Sequence, residues 1–237
     1  MSLLIDYHDA LVYAPDLGLL RPGQWLNDRV INFCFRYFEF ADPVPPNNIL
    51  LLDPCVVSYL AIQCCDPSDF QDLYTSLNLR EKEYLFLPCS DSLDFESSST
   101  HWSLVVYHVL SNTAVHVDSY NGYNNRSARN LVTKITQLYR YFEILYITNH
   151  ECLTEFLCRF EKDVELITPK TPQQTNGYDC GVYVILSTLF IVEGFMKGIQ
   201  SLADIVQGLN RVTPTAVADY RQVIARDIER LSGKMSS

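Results

Sequence analysis

The residues that follow Cys180, GVYVILSTLFIVEGFM, are apolar on nearly every side, and no other run constrains the fold so strongly. A surface helix keeps a polar face, so a helix that is apolar all round has to be enclosed by other elements. The chain must therefore bury this helix centrally and supply enough sheet and helix to cover it. Its 237 residues, 48% of them hydrophobic, can build one large core, and we read 1–237 as a single domain.

Periodicity supplies the covering elements. Asn27 is a good N-cap, and after it Val30, Ile31, Phe33, Cys34, Tyr37 and Phe38 recur at three and four residues, predicting a helix to about Phe40 that Pro43 to Pro46 ends. Asn48 to Leu52 reads as a short strand or an extended lead-in to a helix around Cys55 to Cys64. Tyr84 to Leu87, Trp102 to Val109 and Ala114 to Val117 are apolar runs of strand length, the last stopped by the turn residues Asp118-Ser119-Tyr120-Asn121-Gly122. Ser127 to Phe142 repeats as a helix, Val164 to Thr168 as a further strand, and Thr213 to Leu231 as a closing amphipathic helix with Pro214 in its first turn. The acidic, Ser-rich segment Ser90 to Thr100 is expected to be a mobile surface loop. The predicted class is α+β, a mostly antiparallel sheet packed by helices.

A net charge of −10, with no dense run of Lys and Arg, argues against nucleic acid and against a membrane surface as partners. No stretch approaches the length of a membrane span, and the opening MSLLIDYHDALVYAPDLG has acids where a secretory signal needs a basic region and an unbroken apolar one. Most of the eight cysteines lie inside apolar periodic segments and none forms a C-x-x-C pair, so neither a disulfide framework nor a structural zinc site is expected. These features predict a monomer of the cytoplasm or the nucleus.

Cys180 falls at the start of the buried helix, where the N-terminal amides favour a thiolate. A buried Cys is more often a small hydrophobe, but the polar loop Gln173-Gln174-Thr175-Asn176-Gly177 before it and Gly181 after it favour a nucleophile. His101 opens one strand and Asp118 ends the next, so in a hairpin they meet at one end of the sheet, where a carboxylate can fix an imidazole tautomer. Each alone is ordinary, a surface His and a turn-forming Asp. His108 and His116 compete as base from within strands, and either Gln173 or Gln174 could turn an amide toward a carbonyl oxygen beside the thiol. Asp179 reads as an N-cap.

WLND at Trp25 to Asp28, HWSL at His101 to Leu104, VDS at Val117 to Ser119 and PQQTNGYDCG at Pro172 to Gly181 stand in an order and at intervals that resemble the sentrin/SUMO-specific (Ulp-type) cysteine proteases. Within that family Thr100 to Tyr107 (THWSLVVY) and the sequence Tyr-Asp-Cys-Gly-Val-Tyr look closest to the deneddylase branch. The resemblance implies a papain-like core in permuted order, with Cys180 as nucleophile, His101 as base, Asp118 as its orienter and Gln174, selected over Gln173 by its spacing to Cys180, as oxyanion donor. It implies that Trp25 and Trp102, the latter the better placed beside the base, roof a channel for the Gly-Gly tail of a ubiquitin-like modifier, and that Asp28 holds the tail or a basic residue near it. The expected partners are a modifier of Nedd type and its conjugates, with no cofactor or metal. SUMO or ubiquitin specificity, a non-catalytic modifier-binding protein and a Cys-dependent acyltransferase are the alternatives.

Overall fold

At the N-terminus the chain reverses in two residues, His8 and Asp9, both with positive φ (48° and 69°), the primed turn that suits the twist of a hairpin. This joins β1 (Leu3–Tyr7) to β2 (Ala10–Tyr13), which pair antiparallel. The computed structural model describes residues 2–40, 45–92, 99–149 (backbone alone from 143), 163–198, 204, 206 and 208–233. A short helix α1 (Ala14–Leu19) leads to α2 (Asp28–Phe40), which begins where Asn27 Oδ1 accepts the Val30 amide at 3.1 Å, as its N-cap assignment predicts. Of the prolines expected to end α2, Pro43 lies outside the described residues.

Next come β3 (Ile49–Leu51), α3 (Pro54–Ile62), α4 (Pro67–Ser76), β4 (Tyr84–Ser90), β5 (Trp102–His108) and β6 (Thr113–Val117). They are followed by α5 (Asn125–Asn149), β7 (Glu165–Ile167), the predicted central helix α6 (Cys180–Met196) and α7 (Pro214–Leu231). The hairpin, α1 and α4 have no counterpart among the elements predicted from sequence. For α4 a signal exists: Asp69 Oδ2 accepts the Asp66 amide ahead of Pro67, and Phe70, Leu73, Tyr74 and Leu77 share one helical face.

Among the described residues, five strands form one sheet in the order β3-β4-β5-β6-β7. The two long central pairings are antiparallel, with Ser90 opposite Trp102 and Leu104 opposite Val117, while β3 and β7 add short parallel edges. The sheet is therefore antiparallel through its middle and mixed overall.

Because side chains alternate along a strand, the sheet feeds two cores. Phe86, Trp102, Leu104, Val106, Val115 and Val117 face α2, α6 and α7, whereas Leu85, Leu87, Val105, Tyr107 and Ala114 face α3, α4 and α5. Helix α6 is buried almost continuously from Cys180 to Thr188, as its apolar circumference requires. Of the segment Ser90 to Thr100, Ser90 closes β4, and 93–98 lie outside the described residues.

Candidate active site

The antiparallel pairing of β5 with β6 sets His101, one residue before β5, beside Asp118, one residue after β6. His101 Nε2 donates to Asp118 Oδ1 at 2.7 Å, with both residues almost fully buried. Asp118 is held in turn by backbone alone: Oδ1 accepts the Tyr120 amide at 2.9 Å and Oδ2 the Asn124 amide at 3.0 Å. Burial pushes the Asp118 carboxyl up, but the His101 hydrogen bond and these two amides outweigh it and hold the group below the usual carboxylate range.

With Nε2 held by Asp118, Nδ1 is the nitrogen left to serve Cys180, whose side chain is close enough to raise the His101 pKa. Burial would lower the His101 pKa, yet the Asp118 hydrogen bond, the neighbouring Cys180 side chain and the charge of both groups carry it up to about 9. Imidazolium is thus the favoured form through the neutral range.

The nucleophile side is built from the loop ahead of α6. Asn176 Oδ1 accepts the amides of Tyr178 and Asp179 at 3.1 Å each, turning the chain into the helix that Cys180 begins. A Cβ on Gly181 would stand 3.0 Å from Leu26 Cβ, so a glycine at this position lets the first turn of α6 approach the segment before α2. Asp179 occupies the N-cap position but its side chain caps nothing, which corrects the sequence reading. Its Oδ1 instead accepts Arg221 Nε at 2.6 Å and its Oδ2 accepts Asn176 Nδ2 at 2.7 Å.

The two glutamines part company. Gln173 is a strut: its Nε2 donates to the carbonyls of Asp118 and Thr171 at 3.0 Å, and its Oε1 accepts the Asn121 amide at 2.7 Å. Gln174 Oε1 accepts the Ser119 hydroxyl at 2.8 Å and its Nε2 donates to the Asn176 carbonyl at 2.6 Å, leaving one amide hydrogen uncommitted among the described residues.

The indoles divide against expectation. Trp102 is only 8% exposed and donates Nε1 to the Leu26 carbonyl at 3.1 Å, inside the core. Trp25 is 52% exposed and donates to the Gly177 carbonyl at 2.6 Å, above the loop that carries the nucleophile. Burial therefore favours Trp25 over Trp102 as a surface that a ligand can touch. Asp28, in the first turn of α2, accepts the Cys55 thiol at 3.1 Å.

His116 is buried, with its ring nitrogens paired to Asn125 Oδ1 and Ser103 Oγ, and it approaches Asp118 Oδ2 at 4.0 Å. His108 pairs with Ser111 and Glu83 at the other end of β5. His8 stacks on Phe40 at 3.6 Å. The six cysteines among the described residues are free thiols, and burial pushes Cys89 up to about 12.

This geometry has known relatives. The model of the Ulp1 protease family, C-terminal catalytic domain, matches residues 24–231. The chain belongs to the Ulp1 protease family. It is 32% identical over 238 aligned positions to NEDD8-specific protease 1 of Arabidopsis thaliana, covering 99% of this chain and 96% of that one. To human sentrin-specific protease 8 it is 30% identical over 199 positions, covering 82% and 84%. The C-terminal Ulp1 protease domain solved in complex with Smt3, the yeast orthologue of SUMO, superposes with a TM-score of 0.68 at 20% identity, over 98% of this chain and 88% of that one. This last likeness speaks for the fold, which is that of the Ulp1 cysteine proteases.

Three residues that shape the site of this Ulp1-family cysteine protease carry no motif. Asn124, 1% exposed, donates Nδ2 to the carbonyls of Cys89 and His101 and to Ser103 Oγ, tying β4 and β5 to the turn after Asp118. Asp91 accepts the amides of Thr100 and His101 at 2.8 and 3.0 Å, fixing the backbone of His101. Arg221 is 3% exposed and, besides Asp179, donates to the carbonyls of Leu19, Gln24 and Tyr178. An Arg among Val217, Ile224 and Ile228 on the inner face of α7 is the one sequence signal that could have exposed it.

Proposed function

We propose that this protein is a deneddylase, a cysteine protease that cleaves the amide after the C-terminal Gly-Gly of a Nedd-type ubiquitin-like modifier and frees it from lysine isopeptides and precursor tails. The observation that carries the chemistry is the buried Asp118–His101 hydrogen bond beside the buried Cys180, whose side chain acts on the imidazole. Asp118 holds the imidazole with Nε2–H toward itself and stabilises the imidazolium. With the proton already on Nδ1 of the imidazolium, the Cys180 thiolate attacks the Gly carbonyl carbon as the carbonyl electron pair moves to oxygen. The Cys180 amide and Gln174 Nε2 are the donors for that oxyanion. As it collapses the C–N bond breaks, His101 gives its proton to the departing nitrogen, and a thioester remains. His101 then takes a proton from water as the hydroxide adds, and collapse expels the thiolate beside the imidazolium while the modifier's new carboxylic acid gives its proton to solvent.

Trp25, exposed over the nucleophile loop, is the better roof for a Gly-Gly tail, because only residues without side chains fit beneath an indole with a carbonyl at the thiol. Trp102 then acts from below by fixing the Leu26 carbonyl. Asp28 supplies a carboxylate for a basic residue near the tail. The Nedd-type preference rests on the end-to-end likeness to an Arabidopsis protease named for NEDD8. The likeness to the Smt3-bound domain supports SUMO as the second reading.

Covalent labelling with C-terminally electrophilic modifiers of Nedd, SUMO and ubiquitin types tests the proposal. The expected result is a Nedd-type adduct that Cys180→Ala loses while still binding the modifier. An adduct that survives Cys180→Ala removes the nucleophile, labelling by another modifier alone moves the specificity, and no adduct with any of them overturns the protease reading.

A further inference from the structure

The turn after Asp118 carries two aromatic side chains that the chemistry above does not use. Tyr120 and Tyr123 are 49% and 57% exposed, large apolar surfaces to leave in water. Their rings lie 5.8 and 5.5 Å from the His101 ring and 5.9 Å from each other, so the three form one cluster that the imidazole closes at its buried end. Among the described residues neither phenol hydroxyl makes a hydrogen bond that would explain its position.

The backbone beneath them is over-determined. The Tyr120 amide is on Asp118 Oδ1, the Asn124 amide on Asp118 Oδ2, and the Tyr123 amide on the Tyr120 carbonyl at 3.0 Å. Between the rings, Asn121 and Gly122 take positive φ (50° and 73°), and the Asn121 amide is pinned by Gln173. Two solvent-facing rings on a turn braced by the same carboxylate that orients the base are a preorganised contact surface.

Chemistry decides what meets it. The departing nitrogen has to come within hydrogen-bond reach of His101 to be protonated, so whatever is attached to that nitrogen must leave past the imidazole. Trp25 and the Gly177 loop lie on the nucleophile arm, where the acyl tail runs, and the Tyr pair flanks the base. We propose that Tyr120 and Tyr123 form the leaving-group subsite, packing the methylene stem of the isopeptide-linked lysine of the target protein against two aromatic faces. This rests on the protease reading. It makes the enzyme prefer lysine conjugates over modifiers whose scissile amide carries no stem.

The test uses the full chain and two substrates with the same modifier, the same amide and alkylamine leaving groups of similar basicity: a lysine isopeptide conjugate and a C-terminal methylamide. In Tyr120→Ala/Tyr123→Ala the ratio of kcat/KM for isopeptide over methylamide should fall about tenfold, the scale of losing two aromatic packing faces. Tyr120→Phe/Tyr123→Phe should keep the ratio within about twofold, since the faces and not the hydroxyls make the contact. An unchanged ratio in the Ala pair overturns the subsite: the rings then serve His101 if both rates drop, or the modifier's own surface if modifier affinity drops with them. A Phe pair as impaired as the Ala pair overturns the packing account. Electrophile labelling separates the two levels, because a chain that labels normally but shows no change in ratio loses this inference alone, whereas one that labels with nothing loses the protease reading itself.

Discussion

Asp118 and Asp179 are both buried carboxylates at the active site, and they are held in opposite ways. Asp118 is satisfied by groups two, six and seventeen positions away: the amides of Tyr120 and Asn124 and the imidazole of His101. Asp179 has one local partner, Asn176 Nδ2, and otherwise depends on Arg221, forty-two positions on, whose other donors reach the carbonyls of Tyr178, Gln24 and Leu19, the last 202 positions from Arg221. The base arm is thus a hairpin and a turn that define themselves. On the nucleophile arm, Cys180 is set only when the N-terminal segment and the C-terminal helix have met over α6.

Asp118→Asn strikes the local arm at its centre and should have the largest effect. An amide in place of the carboxylate permits the wrong imidazole tautomer and removes the charge that stabilises imidazolium, so kcat should fall roughly 10³- to 10⁴-fold with little loss of modifier affinity. Single-turnover kinetics checks this. A loss under tenfold would return Asp118 to the role of a turn residue.

The distant arm is tested by Arg221→Met. It leaves Asp179 as a buried charge with no ionic partner and three carbonyls without their donor, which should cost about 3–5 kcal/mol of stability in urea unfolding. Asn124→Ala removes three neutral hydrogen bonds but keeps the amide that holds Asp118, and should cost only about 1–3 kcal/mol. If the Asn124 variant proves the less stable, the contrast between the arms is wrong. Cys180 labelling should slow in Arg221→Met, since Tyr178 and Asp179 lose their anchor immediately before the nucleophile.

The pH profile separates the arms by charge. His101 is raised to about 9, so the proton it gives the leaving nitrogen is retained through neutrality, and kcat/KM should fall about tenfold per unit only above that pH. Stability follows the same sign: the contribution of His101 is complete below its unfolded value of 6.5 and is lost as pH rises through about 9. Asp118→Asn should move the kinetic limb to lower pH, because the largest upward influence on the imidazole is gone. Arg221→Met should leave it in place.

How much of this can be read from sequence follows the same division. His101, Asp118 and Cys180 sit at the ends of apolar runs that are visible in the sequence, and the turn residues after Asp118 mark where the strand that carries the orienter stops. What sequence hides is contact between distant segments. Nothing near Asp179 points to Arg221, so the carboxylate reads as a cap. Trp102 stands beside the base in sequence and so looks the better ligand surface, yet the sheet buries it and Trp25 is the indole left exposed above the loop before α6. The β1–β2 hairpin is silent because its turn is His-Asp, without the glycine or asparagine that usually marks positive φ.

The smallest expected effect concerns His116, the other imidazole near Asp118. Burial pushes its pKa down despite the Asp118 charge, so it stays neutral where His101 stays charged. Its ring bridges Ser103 and Asn125, which makes it a brace on the far side of the carboxylate. His116→Gln should therefore change kcat by no more than about threefold and cost about 1–2 kcal/mol through those two bonds. A buried neutral His also disfavours the folded state in acid, because below 6.5 the unfolded chain takes up a proton that the folded one resists. Removing it should therefore flatten the acid side of the stability curve while leaving the alkaline limb of activity near 9. A loss of kcat on the scale of Asp118→Asn would instead make His116 part of the proton path, and the base arm would need two imidazoles to work.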